Sequence, residues 1–98
     1  MKQILKLFYL AQCPYCRQAF AYIEQLKEQQ QYKNIEMDLI EESEEPDVAD
    51  QYDYHYVPTF YLGEEKLNEG AVTLEKVEAV FRKALAVNED ESRMKNSL

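Results

Sequence analysis

The chain has 98 residues, enough to build one hydrophobic core and too few for two. Hydrophobic residues make up 46% of it, with eight Tyr and four Phe against two Gly and three Pro, a composition that folds compactly and does not stay disordered. The net charge of -8 argues against a nucleic-acid partner, whose phosphates need a basic surface, and no apolar run approaches the roughly 18 residues of a membrane span.

Lys6, Arg17 and Lys66 are the cations that one locally basic groove would draw on. The opening Met1-Lys2-Gln3-Ile4 has no apolar signal core with a small-residue cleavage site. Cytoplasm is therefore the expected compartment, and a monomer the expected state. There, two cysteines at short spacing point to redox chemistry or metal more than to a structural staple.

In chain order, Ile4-Leu5-Lys6-Leu7-Phe8-Tyr9-Leu10 is a nearly continuous apolar run, the pattern of a strand buried on both faces. Ala11-Gln12 then lead into Cys13-Pro14-Tyr15-Cys16, which holds both cysteines of the chain. Pro14 suits a first helical position, where its missing N–H costs nothing. Cys16, Ala19, Phe20, Ile23 and Leu26 recur at helical spacing and predict a helix to about Gln30. Ile35 to Leu39 alternates with period two, predicting a strand with one wet face near a sheet edge.

The acid-rich stretch Glu41 to Asp53 contains Pro46, which predicts a short helix ending near Tyr52. Acids there complement the helix dipole and keep the surface soluble. Val57 to Leu62 reads as a strand with a proline near its start. Gly63-Glu64 predicts a type II′ hairpin into a return strand, Glu65 to about Glu69. Thr73 is the expected N-cap of a last helix whose buried stripe is Leu74, Val77, Val80, Phe81, Ala84 and Leu85. From Asn88 to Leu98 the stripe is lost, which reads as a polar, disordered tail.

The predicted fold is thus α/β in the order βαβαββα: a four-stranded mixed sheet, three helices over both faces, and the Ile4–Leu10 strand central. Residues 1–87 form the domain and 88–98 the tail.

A cysteine pair at a helix start has a physical reason to react. Unpaired N–H groups and the macrodipole there stabilise a thiolate, which makes Cys13 the nucleophile and Cys16 its resolving partner. Zinc would need four ligands, and His55 is the one imidazole left to help, so no metal is expected. His55 itself reads as a surface residue. Tyr15 offers an aromatic face beside the sulfur. Arg17 is either an anion-binding group or a solvated helix residue. Tyr52, Tyr54 and Tyr56 read as core and edge packing near Pro58, and Thr59 as a packing residue.

Cys13-Pro14-Tyr15-Cys16 after a first strand, with Val57-Pro58-Thr59 opening a third strand about forty residues on, resembles the thioredoxin fold over roughly residues 3–87. Within it the chain resembles glutaredoxins of the dithiol type. They share the Cys-Pro-Tyr-Cys motif, and Leu7 stands where thioredoxins bear a buried aspartate. The resemblance implies a cis Val57–Pro58 bond and a Val57 backbone that holds a thiol substrate in a strand-like manner. It also places Gly70 and Ala71 where glutaredoxins cradle the glutamyl end of glutathione.

The stretch from Glu45 to Pro58 resembles thioredoxins instead. The chain also departs from the glutaredoxin pattern in two places: Gly70-Ala71-Val72-Thr73 lacks a second glycine and an acid, and Leu10-Ala11-Gln12 lacks a basic residue.

The expected activity is therefore thiol–disulfide exchange on protein or glutathione mixed disulfides through Cys13 and Cys16. Tyr15, Arg17, Val57, Pro58, Gly70 and Ala71 would contact the substrate. Glutathione is the expected co-substrate, with no bound cofactor. Two alternatives stay open: a thioredoxin-like reductant recharged by a thioredoxin-reductase-type flavoprotein, and a non-catalytic redox-sensing or iron–sulfur-cluster-binding module.

Overall fold

The computed structural model describes residues 3–96. Along the chain run β1 (Leu5–Tyr9), α1 (Pro14–Lys27), β2 (Met37–Glu41), α2 (Pro46–Ala49), β3 (Thr59–Leu62), β4 (Glu65–Glu69) and α3 (Leu74–Asn96). The strands form one mixed sheet in the order β2-β1-β3-β4. β1 pairs parallel with β2 and antiparallel with β3, and β3 continues antiparallel into β4. The expected order and the central place of the first strand are both present.

Alternation along the strands sorts the core into two halves. On one face Leu5, Leu7, Phe60 and Leu62 meet Ala19, Ile23 and Leu26 of α1 and Val77, Val80, Phe81 and Ala84 of α3. On the other, Phe8, Ile40 and Tyr61 meet Ala49 of α2, with Tyr52, Tyr54 and Val57 packed around them. The Tyr52 and Tyr54 rings lie 4.8 and 4.9 Å from the Phe8 ring, so these two tyrosines pack as expected. Tyr56 does not: it is 70% exposed.

The turns follow their residues. Gly63 has φ +60 and no non-glycine among the described residues has positive φ, so the hairpin carries its left-handed residue first, as a type II′ turn does. Thr73 Oγ1 accepts the Lys76 N–H at 3.2 Å, capping α3. The Val57–Pro58 bond is cis. Val57 and Pro58 stay outside the ladder, so β3 starts at Thr59 and not at Val57.

α2 ends at Ala49, short of Tyr52, and three other elements differ from their expected bounds. α1 ends at Lys27, short of Gln30, because Gln29 and Gln30 bring no apolar side chain to the next core position. The chain turns instead and buries Tyr32, whose phenol donates to Glu78 Oε2 at 3.0 Å. β2 lies later than expected, at Met37–Glu41. Ile35 is buried ahead of the strand, Leu39 is 46% exposed at the sheet edge, and Ile40, in register with Phe8, is the buried strand residue.

The third difference is at the C-terminal end, where α3 does not stop near Val87 but stays helical to Asn96. Residues 88–96 contain no Gly or Pro to end it. Asn88 also bonds the backbone of Gln3 twice: its Oδ1 accepts the Gln3 N–H at 2.9 Å and its Nδ2 donates to the Gln3 carbonyl at 3.3 Å. Ser97 and Leu98, the last of the expected tail, lie outside the described residues. Among the described residues no helix is long and apolar enough to cross a membrane.

Candidate active site

The carboxyl end of β1 delivers the chain to Cys13. Its N–H donates to the Leu10 carbonyl at 3.1 Å, closing a turn over Ala11-Gln12. Cys13 then takes the N-cap place of α1 with extended backbone (φ -80°, ψ 123°), and Pro14 follows within the first turn. The Cys13 carbonyl accepts the Arg17 N–H at 3.1 Å, the first bond of the helix. Its sulfur is left beside the unpaired N–H groups of the helix start.

Both cysteines are free thiols, and their surroundings differ. Cys13 is partly exposed, whereas Cys16 is fully buried. Burial resists ionisation of Cys13 but is outweighed by hydrogen bonds from the Cys16 N–H, the Cys16 thiol and the Tyr15 N–H, so its pKa falls below that of an ordinary thiol. Burial pushes the Cys16 thiol up to about 12, with the neighbouring Cys13 and the charge of Glu42 adding to the rise and a backbone bond from Leu10 opposing it. One sulfur ionises more readily than an ordinary thiol, and its neighbour is held as a thiol that donates to it.

The loop before β3 lies at the same end of the sheet, since Thr59 pairs with Phe8 near the end of β1. Pro58 is buried, Val57 is half-buried, and among the described residues no hydrogen bond uses the Val57 N–H or C=O. Thr59 is fully buried, with its hydroxyl donating to the Tyr56 carbonyl, so it packs and braces the loop. Gly70, at φ +90, donates its N–H to the Pro58 carbonyl at 2.8 Å. This ties the end of β4 to the proline. Ala71 is exposed, as is Arg17, while Tyr15 is 55% exposed beside Cys13.

The cations do not combine into the basic groove the sequence allowed. Lys6 and Lys66 flank Tyr61 in the sheet register, with Lys6 over the Tyr52 ring and Lys66 paired to Glu69 at 2.8 Å. Arg17 lies on α1, whose core side packs on the opposite sheet face. His55 is exposed, as expected.

Two residues that shape the site escaped the sequence reading. Glu69 Oε2 accepts the N–H groups of His55 and Tyr56 at 2.5 and 2.9 Å, fixing the loop that leads to Pro58. Its bonds to Lys66, His55 and Tyr56 hold its carboxyl down at about 2. Glu42 Oε2 accepts the Tyr54 hydroxyl at 2.6 Å, so at least one acid of the 41–53 stretch turns inward instead of serving only the surface. Partners 12 to 14 residues away leave no local signal in one sequence. Among the described residues no cluster of three or more His, Cys, Asp or Glu could hold a metal ion.

A family model, thioredoxin, matches residues 1–87. The chain belongs to the thioredoxin family. Two solved structures share its fold. One, described as a malarial protein, is 18% identical, with a TM-score of 0.65, over 87% of this chain and 99% of that one. The other is the germline-specific thioredoxin Deadhead of Drosophila melanogaster, 19% identical, with a TM-score of 0.62, over 84% of this chain and 80% of that one. No curated protein matches at a significant level. A thioredoxin-family domain with Cys13 and Cys16 side by side is, in general terms, a thiol–disulfide oxidoreductase, and domains of this type act on disulfide substrates.

Proposed function

We propose that this chain reduces protein disulfides and glutathione mixed disulfides, with Cys13 as nucleophile and Cys16 as resolving thiol. The observation that carries the reading is the opposed state of the two sulfurs: Cys13 partly exposed and favoured as thiolate, Cys16 buried and held protonated. The Cys13 thiolate attacks one sulfur of the substrate disulfide, forming a mixed disulfide and expelling the other half as a thiolate. Cys16 then gives up its proton and attacks Cys13. The second half leaves, and Cys13–Cys16 is oxidised as the substrate gains two electrons.

The groups at this end of the sheet suit an extended thiol substrate. Val57 offers a backbone N–H and C=O beside Pro58, and Tyr15 and Tyr56 offer aromatic surface. Arg17, at the start of α1, suits a substrate carboxylate.

Glutathione is the proposed reductant, on the strength of the Cys-Pro-Tyr-Cys motif. A flavoprotein reductase of the thioredoxin-reductase type is the second reading, favoured by the thioredoxin family match and by Gly70-Ala71, where the Gly70 N–H is already spent on Pro58.

Turnover of a small mixed disulfide with glutathione, glutathione reductase and NADPH, beside a parallel assay with thioredoxin reductase, tests both. Activity in the first supports the glutathione route. Activity in the second alone transfers the protein to the flavoprotein route, and activity in neither overturns the enzymatic reading.

A further inference from the structure

The far edge of the sheet carries a surface that thiol exchange does not use. β4 is an edge strand that pairs with β3, and among the described residues no hydrogen bond reaches its outer backbone groups. Phe60 stands opposite Asn68 and Tyr61 opposite Lys66, so Leu67 is the extra residue of a β-bulge. A bulge bends its strand and re-aims a side chain, which spoils the edge as a template for a further strand. Here Leu67 packs, half-buried, against the core that α3 covers.

Between β4 and α3 runs an open groove of about 330 Å3. Leu67, Ala79 and Val80 give it an apolar lining. Lys76 and Lys83 stand along its helix side, and Glu65 and Asn68 along its strand side. Two helical turns apart, the lysines share one face of α3, about 10 Å from each other along the axis. α3 begins just after Gly70, which is bonded to Pro58, and Asn88 near its other end reaches Gln3. Lys76 therefore lies at the Asn68 end of the groove and Lys83 at the Glu65 end.

The charge of this groove runs against that of the chain. Acids outnumber Lys and Arg by 19 to 11, and Lys66 and Arg82 pair with Glu69 and Glu78. Lys76 and Lys83 are exposed, and among the described residues neither side chain has an ion pair or a hydrogen bond. Glu65 is the one acid in the lining, against two lysines. An apolar seat with a cationic rim complements a segment that carries both an apolar anchor and carboxylates. A second copy of this chain is the poorer occupant. Antiparallel pairing of two β4 strands about Leu67 would set Glu65 of one chain against Glu69 of the other, and each chain brings a net charge of -8.

We propose that the groove between β4 and α3 docks an acidic peptide segment of a partner protein. Its apolar side chain rests on Leu67, Ala79 and Val80, and its carboxylates meet Lys76 and Lys83. The Asn68 side chain donates to the Gly70 carbonyl at 3.4 Å, and Gly70 bonds Pro58, so a docked partner is held beside the loop that ends at the cis proline. This surface goes beyond the reading of Cys13 and Cys16 and does not depend on it.

The test is fluorescence anisotropy of the full chain with a labelled, end-capped peptide of alternating Glu and Leu, beside the same peptide with Lys for Glu. The acidic peptide is expected to bind saturably, more weakly as salt rises, and the lysine peptide to bind far less. K76E and K83E are each expected to weaken binding by about 3- to 10-fold. Lys33→Glu, the same charge change on the exposed connection between α1 and β2, is expected to stay within about twofold of the parent. Ala79→Gln fills the apolar seat without changing charge and is expected to weaken binding too. Amide shifts on titration should cluster at 65–68 and 76–83. No saturable binding, equal binding of the lysine peptide, unchanged binding in K76E and K83E, or an equal loss in K33E overturns the inference. So does a dimer in sedimentation that K76E dissolves, which would give the groove to a second copy. The peptides carry no sulfur, so none of these results touches the thiol-exchange reading.

Discussion

Selective alkylation of the two thiols offers a direct check on the electrostatics of the site. The thiolate is the reacting species, so relative rates follow its fraction. Held up at about 12 from an ordinary 9.0, Cys16 carries about a thousandfold less thiolate at neutral pH than a free cysteine would. Cys13, shifted the other way, carries more than a free cysteine. Full burial of Cys16 widens the gap further.

Treating the reduced protein with limiting iodoacetamide, then mapping the label by peptide mass spectrometry, should place it on Cys13, with Cys16 at least about 10³-fold slower. Across a pH series the Cys13 rate should level off at a lower pH than that of a free thiol. Labelling rates within tenfold of each other, or Cys16 labelled first, would refute the assignment of nucleophile and resolving thiol.

The loop that presents Pro58 gives two further checks. Glu69 has its carboxyl lowered to about 2 in the folded chain, so its stabilising effect is complete above the ordinary carboxylate value of 4.5 and is lost as pH falls through about 2. Glu69→Gln should therefore flatten the acid limb of the unfolding curve and leave the neutral-to-alkaline part parallel, an effect that salt will weaken because the group is partly exposed; an unchanged acid limb would count against the pairing. Gly70→Ala forces a side chain into φ +90 and should cost about 1–3 kcal/mol in chemical denaturation, with slower disulfide turnover as the bond to Pro58 is displaced; parent-like stability would show that the position tolerates a Cβ.

Much of this site can be read from the chain alone, because its main parts are local. The helix start at Pro14, the paired thiols and the Val57–Pro58 step each carry their own signal within a few residues. The apolar run of β1 likewise announces a central strand, and Gly63-Glu64 its turn. What was hidden depends on tertiary partners.

The alternation Ile35, Met37, Leu39 suggested an inner face. Which residue of the strand itself is buried depends on register with β1 and on how far α1 reaches, and it proved to be Ile40. Glu42 and Glu69 look like any other acids in a chain of net charge -8. Only the folded chain sets one against Tyr54 and the other under the backbone of residues 55 and 56. The extent of α3 was hidden for a similar reason, since the bonds from Asn88 reach back across 85 positions to Gln3.

That last clasp has a practical meaning. Gln3 precedes β1, while the cysteines follow its other end, so the length of the strand and its flanks separates them by about 20 Å or more. A dye, affinity handle or fused domain attached ahead of Gln3 therefore joins at the pole remote from the reactive sulfur. It can report on the protein, or tether it to a surface, without shading the face where a bulky disulfide-bearing protein must dock.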